Sequence, residues 1–259
     1  MSEFATTAPY YATYRPGIPA EAVSLLTEAV SAAPHPVLLD LGAGTGQVAL
    51  ALHQAVAEID VVERDADMLA HAERALADLP VTVRLHHTSA EAFVPPSGWQ
   101  ADLVTICRAF HWMDQPAVLS LLETCTAPKA VVAVMGDGSL WTARSRWTDD
   151  LRALIQEYTG PDRRAGTGKT YDAHNRPYRE VLAESAFDQV EEHALSLVRT
   201  WTPAEVIGYL YSTSFAARPL FGDRVDDFER RARALLTEHA ATEGLTENAV
   251  FNVLLARRS

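Results

Sequence analysis

Three glycines at alternate positions, Gly42, Gly44 and Gly46, form the stretch of this sequence that is best suited to bind a cofactor. They follow an apolar run at 37–41 that predicts a short buried strand, and they precede an apolar run at 48–52 that predicts the start of a helix. Glycines allow a sharp turn and a close approach of the backbone to a ligand, and the amides at the start of a helix can face that ligand. The pattern therefore predicts a site for a nucleotide-like cofactor.

An acidic residue on the next predicted strand supports this prediction. Residues 57–63 predict a second strand that ends at Glu63, and a carboxylate there can accept hydrogen bonds from both hydroxyls of a ribose. Dinucleotide-binding proteins also use an acid at this point, after the pattern G-x-G-x-x-G. In this sequence Gln47 takes the place of the third glycine of that pattern. The spacing therefore favours another nucleoside cofactor, and a nicotinamide oxidoreductase remains an alternative.

His111 is the side chain best suited to exchange a proton near neutral pH. A fourth predicted strand at 101–107 runs directly into the segment 108–114, which contains His111. Ligands of open α/β sheets bind outside the carboxyl ends of the strands, close to the point where the strand order reverses. An imidazole with a pKa of ~6.5 can act there as a general base. The alternative is that His111 only packs and hydrogen-bonds to hold the turn, while Trp112 covers the cofactor.

Three segments resemble the class I S-adenosylmethionine-dependent methyltransferases. They are the glycine run at 40–47, the arm Y-x-x-Y-R-P-G-x-P at 11–19, and the A-F-H-W-M-D run at 109–114. The arm and the last run resemble the group that contains the ubiquinone/menaquinone-type and aconitate-type enzymes. The resemblance implies S-adenosylmethionine as the cofactor and transfer of its methyl group to a small-molecule acceptor. A nucleophilic carboxylate acceptor would need no protein base.

The resemblance also implies a cofactor-binding set on the arm, on the glycine run and at the strand tips. This set comprises Tyr14, Arg15, Asp40, Gly42, Ala43, Gly44, Gly46, Glu63, Arg64, Met68, Ser89, Ala90, Arg108 and Phe110. Met68 would line the adenine pocket or simply pack in the core. Ser89 departs from the family, which has an acid at this position for the adenine amino group. This departure leaves a third alternative, a methyltransferase-fold protein that binds cofactor or a partner without methylating anything.

The expected substrate-binding residues are Tyr11, His111, Trp112 and Arg176. Arg176 belongs to the segment 160–179, which has five basic and two acidic residues in an otherwise strongly acidic chain. Long irregular segments in compact proteins are commonly functional or disordered. We expect either a cap that closes over an anionic or polar substrate through its arginines, or a solvated surface loop.

The alternation of strands and helices predicts an α/β doubly wound fold. The resemblance implies a seven-stranded, mostly parallel sheet in the order 3-2-1-4-5-7-6, with a cap of helices and loops. The predicted divisions are a cofactor-binding core at 1–136, cap inserts at 137–188 and 201–240, and terminal strands at 189–200 and 249–259. The proline-containing arm at 10–19 is predicted to be a shaped loop that closes over the cofactor or packs on the domain.

Composition narrows the class of protein. The chain has 259 residues, of which 48% are apolar and 22% charged, and this is typical of a soluble globular protein. The formal net charge of −12 argues against an extended nucleic-acid surface, and no apolar run is long enough to span a membrane. The first residues lack a secretory pattern, and the two cysteines form no disulfide framework, so we expect a cytoplasmic protein. No zinc-site spacing is present, and we expect no metal.

Overall fold

The structure is a computed structural model that describes residues 7–164 and 176–259. Its strands form one sheet of seven in the order β3-β2-β1-β4-β5-β7-β6. The strands are β1 (Val37–Leu41), β2 (Glu58–Glu63), β3 (Thr82–His87), β4 (Ala101–Cys107), β5 (Thr126–Asp137), β6 (Gln189–Thr200) and β7 (Thr246–Arg257). Strands β1 to β5 pair in parallel, and β7 pairs antiparallel with β5. The predicted fold class and strand order are confirmed.

Helices connect these strands through the described part of the chain. The helices are α1 (Ala8–Tyr14), α2 (Ala20–Val30), α3 (Gln47–Leu52), α4 (Ala66–Leu76), α5 (Gln115–Cys125), α6 (Arg146–Thr159), α7 (Tyr178–Ala183), α8 (Pro203–Tyr211) and α9 (Val225–Thr242). Short 3-10 turns lie at Ala90–Ala92, Phe110–Trp112 and Arg218–Arg224. The first two of these turns follow the carboxyl ends of β3 and β4.

The described residues divide into two compact units. The sheet unit comprises residues 17–137, 176–195 and 251–259, and the helical unit comprises residues 7–16, 138–164 and 196–250. This division differs from the predicted one. Residues 7–16, 196–200 and 249–250 belong to the helical unit, and residues 176–188 belong to the sheet unit.

The core of the sheet unit explains why its central strands are almost continuously apolar. Leu38, Leu39 and Leu41 of β1 are fully buried, as are Ile106 of β4 and Val132 of β5. Parallel strands that are covered on both faces carry such runs. A polar residue inside one of these strands is therefore a candidate for a functional role.

The helical unit has its own hydrophobic cluster. Trp147 of α6, Leu210 of α8 and Phe228 of α9 belong to it, and Tyr14 packs against it. Helix α8 begins at Pro203, because Thr202 and Glu205 form a reciprocal capping box. Helix α1 packs against α8.

The prediction for the arm was wrong. The arm was expected to be a loop, but Ala8–Tyr14 is a helix with Pro9 in its first turn, where proline is tolerated. Helix α6 begins at Arg146, because the Ser145 side chain accepts from the Thr148 amide. Helix α5 begins at Gln115, because Asp114 caps it. Lys169 and Asp172 of the predicted substrate segment lie outside the described residues.

Candidate functional site

The glycine run forms a loop whose backbone conformation strongly favours glycine. Gly42, Gly44 and Gly46 have φ values of 64°, 59° and 80°, in the left-handed region that side chains disfavour. A Cβ added to Gly42 would lie 2.7 Å from the Cβ of Ala109. The loop therefore rests directly against the turn that follows β4. The sequence correctly identified these glycines as a constrained turn.

Glu63, at the tip of β2, ties this loop in place. Its Oε2 accepts a 2.8 Å hydrogen bond from the amide of Gly44, and its Oε1 accepts one of 2.8 Å from the amide of Asp65. Burial raises the pKa of Glu63 above its usual value, while these two amides oppose that rise. Each carboxylate oxygen has a second lone pair. Glu63 can therefore hold the loop and still accept hydrogen bonds from a ligand.

Asp40 and Thr45 each carry a buried oxygen atom for which the described residues offer no hydrogen-bond partner. Oδ1 of Asp40 accepts a 2.8 Å hydrogen bond from Oγ1 of Thr105 on β4. Oδ2 of Asp40 and Oγ1 of Thr45 have no partner among the described residues, although these two residues are only 1% and 4% exposed. Burial raises the pKa of Asp40 to about 7. Buried polar atoms are normally satisfied, so these two atoms suit a ligand with its own polar groups.

Sequence reasoning missed Thr45 and Thr105. Thr105 is fully buried in β4, directly beside Asp40 in the register of β1 and β4. A threonine inside an otherwise apolar parallel strand was the available signal. Thr45 lies between two of the glycines, and its buried hydroxyl gave no sequence signal that distinguishes it from an ordinary loop threonine.

Helix α4 begins directly after the tip of β2. Asp65 caps this helix, and its Oδ1 accepts 3.0 Å hydrogen bonds from the amides of Asp67 and Met68. The Met68 side chain is buried, while Arg64 is exposed. Met68 thus follows the carboxyl end of β2 by five residues, as an adenine wall would require. Its contact with adenine stays a prediction.

Ser89 and Ala90 follow the carboxyl end of β3. Ser89 immediately precedes the 3-10 turn Ala90–Ala92, and Ala90 is buried. The Glu91 side chain accepts a 2.8 Å hydrogen bond from the amide of Asp114. That hydrogen bond ties the turn after β3 to the N-terminus of α5.

Arg108 holds the carboxyl ends of β4 and β5 together. Its backbone has φ 55°, a left-handed conformation, and its amide donates to Met135 O at 2.9 Å. Its Nε donates a 2.6 Å hydrogen bond to Oδ1 of Asp137, and its guanidinium lies 5.6 Å from the ring centre of Phe251. Gly136 leaves room for the Arg108 side chain, since a Cβ there would lie 3.3 Å from its Cγ. Non-glycine residues in this conformation are concentrated at functional sites.

The turn after Arg108 presents His111 and Trp112. Phe110 is buried and packs edge-on against Tyr178 of α7, with the ring centres 5.2 Å apart. His111 is half-buried, and its ring centre lies 4.9 Å from that of Trp112, which is 41% exposed. Phe110 therefore anchors the turn in the core while the two following rings remain accessible.

The arm residues belong to the helical unit. The ring of Tyr14 lies so close to Gly208 of α8 that a Cβ at Gly208 would overlap it. Nε of Arg15 donates a 2.9 Å hydrogen bond to Oγ of Ser212, and the guanidinium lies 5.1 Å from the ring centre of Tyr11 and 4.7 Å from that of Tyr209. The structure therefore brings Tyr11, Tyr14 and Arg15 together on α8.

The described arginines of the segment 160–179 all contact protein oxygen atoms. Arg176 is exposed and forms a two-pronged ion pair with Glu184, and Arg179 lies 3.6 Å from Glu192. Arg164 donates to the carbonyl oxygen of Thr159 at the end of α6, and Arg163 to Oγ of Ser139. A ligand bound at Arg176 would compete with Glu184.

Two further findings concern the described residues alone. No group of three or more His, Cys, Asp or Glu side chains at 7–164 and 176–259 is arranged to hold a metal ion. Over the same residues, no helix combines the length and the apolar character needed to cross a bilayer.

Comparison with known protein families gives a match for the centre of the sheet unit. Residues 38–128 match a family described as a methyltransferase domain. This part of the chain is therefore similar to methyltransferase domains. Residues 38–128 include Asp40, the glycine loop, Glu63 and His111, and the arm and Arg176 lie outside them. The recognition made from sequence is thus confirmed at the level of domain and fold. No curated protein matches the chain at a significant level.

Solved structures share this fold at low sequence identity. A provisionally named type II methyltransferase from Anaeromyxobacter dehalogenans is 20% identical with a TM-score of 0.59, covering 95% of this chain and 98% of that one. An S-adenosylmethionine-dependent methyltransferase from Geobacter sulfurreducens, in complex with S-adenosylhomocysteine, is 16% identical with a TM-score of 0.52 over 100% and 99%. A precorrin 8w decarboxylase from Methanobacterium thermoautotrophicum is 14% identical with a TM-score of 0.51 over 94% and 93%. These likenesses establish the fold of the chain.

Proposed function

We propose that this protein is an S-adenosylmethionine-dependent methyltransferase that acts on a small-molecule acceptor. The observation that carries the proposal is the glycine loop tied to Glu63, with the unpartnered oxygen atoms of Asp40 and Thr45 buried beside it. The Geobacter sulfurreducens protein of the same fold holds S-adenosylhomocysteine, the product form of this cofactor. When bound, S-adenosylmethionine supplies a methyl group on a positively charged sulfur.

In this proposal different residues of the chain bind different parts of the cofactor. Glu63 accepts hydrogen bonds from the ribose hydroxyls, because its oxygens lie at the tip of β2 with lone pairs to spare. Asp40 and the loop hold the amino-acid end. Met68, Ser89 and Ala90 follow the tips of β2 and β3 and line the adenine side. The remaining proposed cofactor contacts are Ala43, Arg64, Arg108, Phe110, Tyr14 and Arg15.

His111 is the proposed catalytic residue. It sits in the turn after β4, half-buried beside the exposed ring of Trp112. If the acceptor is a hydroxyl or an acidic carbon, a nitrogen of His111 takes its proton. If the acceptor is a carboxylate, His111 lines the pocket and no base is needed. Alignment and exclusion of water by such a pocket supply up to ~7–11 kcal/mol.

The acceptor would be bound by Tyr11, His111, Trp112 and Arg176. The exposed ring of Trp112 suits a flat or apolar part of the acceptor. An anionic acceptor would need arginine, and Arg176 would have to exchange Glu184 for that ligand. The proposed cap comprises 137–188 and 201–240. A cytoplasmic location is proposed because the two cysteines, Cys107 and Cys125, form no disulfide framework.

A second candidate function is binding without methylation. Ser89 replaces the family's acid, and the decarboxylase of the same fold is a reminder that a fold does not fix a reaction. A nicotinamide oxidoreductase is the weaker alternative, because Gln47 replaces the third glycine of the dinucleotide pattern.

Calorimetry and methyl-transfer assays distinguish these functions. S-adenosylhomocysteine should bind the purified protein, and NADH should not. Labelled S-adenosylmethionine with a panel of hydroxyl, carboxylate, amine and thiol acceptors should then label at least one product. Binding without transfer to any acceptor would favour the second candidate. Tight NADH binding without S-adenosylhomocysteine binding would favour the oxidoreductase.

A variant of His111 separates its two roles. His111→Ala should lower turnover far more than affinity for S-adenosylhomocysteine if His111 removes a proton, since general bases typically contribute about 10²–10⁴-fold. His53→Ala, on a residue outside the proposed site, is the control. An equal loss of turnover and cofactor affinity would make His111 a structural residue.

A further inference from the structure

Asp40 is a buried carboxyl group with a hydrogen-bond partner for only one of its two oxygen atoms among the described residues. It is 1% exposed and lies in β1, directly before the glycine loop. Its Oδ1 accepts from the Thr105 hydroxyl at 2.8 Å, and its Oδ2 has no hydrogen-bond partner in the described part of the chain. An ionised carboxylate in this position would keep one oxygen without a donor, which is costly in a buried site.

The groups that face Asp40 do not supply a positive charge. From β2 it feels the carboxyl of Glu63, from β4 it contacts the hydroxyl of Thr105, and from α3 it contacts the backbone amide of Ala49. Glu63 is itself an acid, so ionisation of both groups would place two negative charges in one buried pocket. Burial raises the pKa of Asp40 to about 7, the hydrogen bonds from the Thr105 hydroxyl and the Ala49 amide oppose that rise, and the charge of Glu63 adds to it.

We propose that Asp40 carries a proton in the cofactor-free protein and releases it to solvent when the ammonium group at the amino-acid end of the cofactor binds. The exchange balances, because a neutral carboxyl and an ammonium ion become a carboxylate–ammonium pair and a free proton. The ammonium then donates a hydrogen bond to Oδ2, the oxygen that lacks a donor. This inference rests on the proposed function, which supplies a ligand with an ammonium group.

Cofactor affinity should therefore depend on pH in a defined direction. Above the pKa of Asp40 the carboxylate is already formed, and affinity should not change with pH. Below it, each pH unit should weaken binding by about tenfold, because a proton has to be removed first. The proton released per ligand should fall from nearly one at acid pH to nearly zero at alkaline pH.

Calorimetric titration with S-adenosylhomocysteine at about pH 6 measures this release, since this pH lies below the pKa of Asp40. The titration is repeated in buffers with different heats of protonation, and the slope of the observed heat against buffer heat gives the number of protons. The natural protein should release most of a proton. Asp40→Asn should release none, and its affinity should not vary with pH. Thr45→Val is the matched control: it removes the other unpartnered oxygen of the site and should lose affinity without losing proton release.

Infrared spectroscopy reports the protonation state of Asp40 directly, without a measurement of binding affinity. Ligand-free protein at the same pH should show the carbonyl band of a buried, protonated carboxyl group. That band should vanish when S-adenosylhomocysteine binds and should be missing in Asp40→Asn. Binding without proton release, or release that persists in Asp40→Asn, would overturn this inference and leave the proposed function intact. Failure of S-adenosylhomocysteine to bind at all would overturn both.

Discussion

The backbone amide of Gly44 donates a 2.8 Å hydrogen bond to Oε2 of Glu63. This single contact joins the glycine loop after β1 to the tip of the neighbouring strand β2. The other oxygen of Glu63 accepts from the amide of Asp65, which caps α4. The acid that the sequence predicts as a ribose ligand is therefore also the residue that fixes the shape of the loop. Its effect on cofactor binding and its effect on stability should consequently appear together.

Glu63→Gln tests this dual role. A glutamine side chain has one acceptor oxygen and one amino group, so it can accept from Gly44 or from Asp65 but not from both. The variant should lose about 1–3 kcal/mol of unfolding free energy, and its affinity for S-adenosylhomocysteine should fall by a comparable amount. Denaturant unfolding and calorimetry measure the two losses, and Glu73→Gln on an exposed position of α4 is the control. Unchanged affinity for S-adenosylhomocysteine in this variant would show that Glu63 does not bind the ribose.

Gly42→Ala tests the contact between the loop and the turn after β4. The new Cβ would meet Ala109 at 2.7 Å, and the residue would also have to keep a φ of 64°. Both effects oppose folding, and we expect a loss of about 1–3 kcal/mol in unfolding free energy, with weaker cofactor binding. Gly17→Ala is the matched control, because a Cβ there meets nothing within 4 Å. Equal stability of the two variants would contradict the close approach of the loop to Ala109.

Asp40→Asn tests the pH dependence of the ligand-free protein. The folded-state pKa of Asp40 is about 7 and its ordinary value is 3.8, so the folded protein binds the extra proton between these two values. The free energy of unfolding should therefore contain a contribution that falls as pH rises through this window, by about 1.4 kcal/mol per pH unit. Asp40→Asn lacks this contribution, so its stability relative to the natural protein should increase with pH up to about 7 and then level off. Urea unfolding at several pH values, with Asp78→Asn at an exposed position as control, checks the slope. Parallel pH profiles for Asp40→Asn and the natural protein would show that Asp40 ionises normally.

The centre of the site could be read from the sequence because its constraints are local. The spacing of Gly42, Gly44 and Gly46 specifies a turn whatever lies around it. Asp65 and Thr202 are helix caps, whose signals extend over only three residues. The order of the sheet followed from the regular alternation of strands and helices together with the family resemblance.

Other parts of the site depend on contacts between distant residues, and the sequence carried no sign of them. The left-handed conformation of Arg108 depends on Asp137, Phe251 and the space left by Gly136. The sequence did not show whether Arg176 pairs with an acid of the same chain or is available to bind a substrate, and in the structure it pairs with Glu184. Helix α1 was mistaken for a loop because its length of 7 residues is too short for a periodic signal, and its contacts with α8 override local preference.

Gly208→Ala tests whether Tyr14 fixes the arm on α8. Alanine favours helix over glycine by up to ~1 kcal/mol, so α8 itself should become more stable. The added Cβ, however, would overlap the ring of Tyr14 and should displace the arm. A loss of about 1.4 kcal/mol in arm docking raises the undocked population about tenfold. Chymotrypsin cleavage after Tyr11 and Tyr14 should therefore accelerate by that factor while the unfolding free energy of the rest of the chain is maintained or increased.

Two further variants serve as controls for Gly208→Ala. Tyr14→Ala, which removes the ring and leaves Gly208 unchanged, should speed cleavage after Tyr11 in the same way, and Gly17→Ala beside the arm should leave the rate unchanged. An arm that stays equally resistant to the protease in Gly208→Ala would mean that the contacts of Arg15 with Ser212 and Tyr209 hold it without Tyr14.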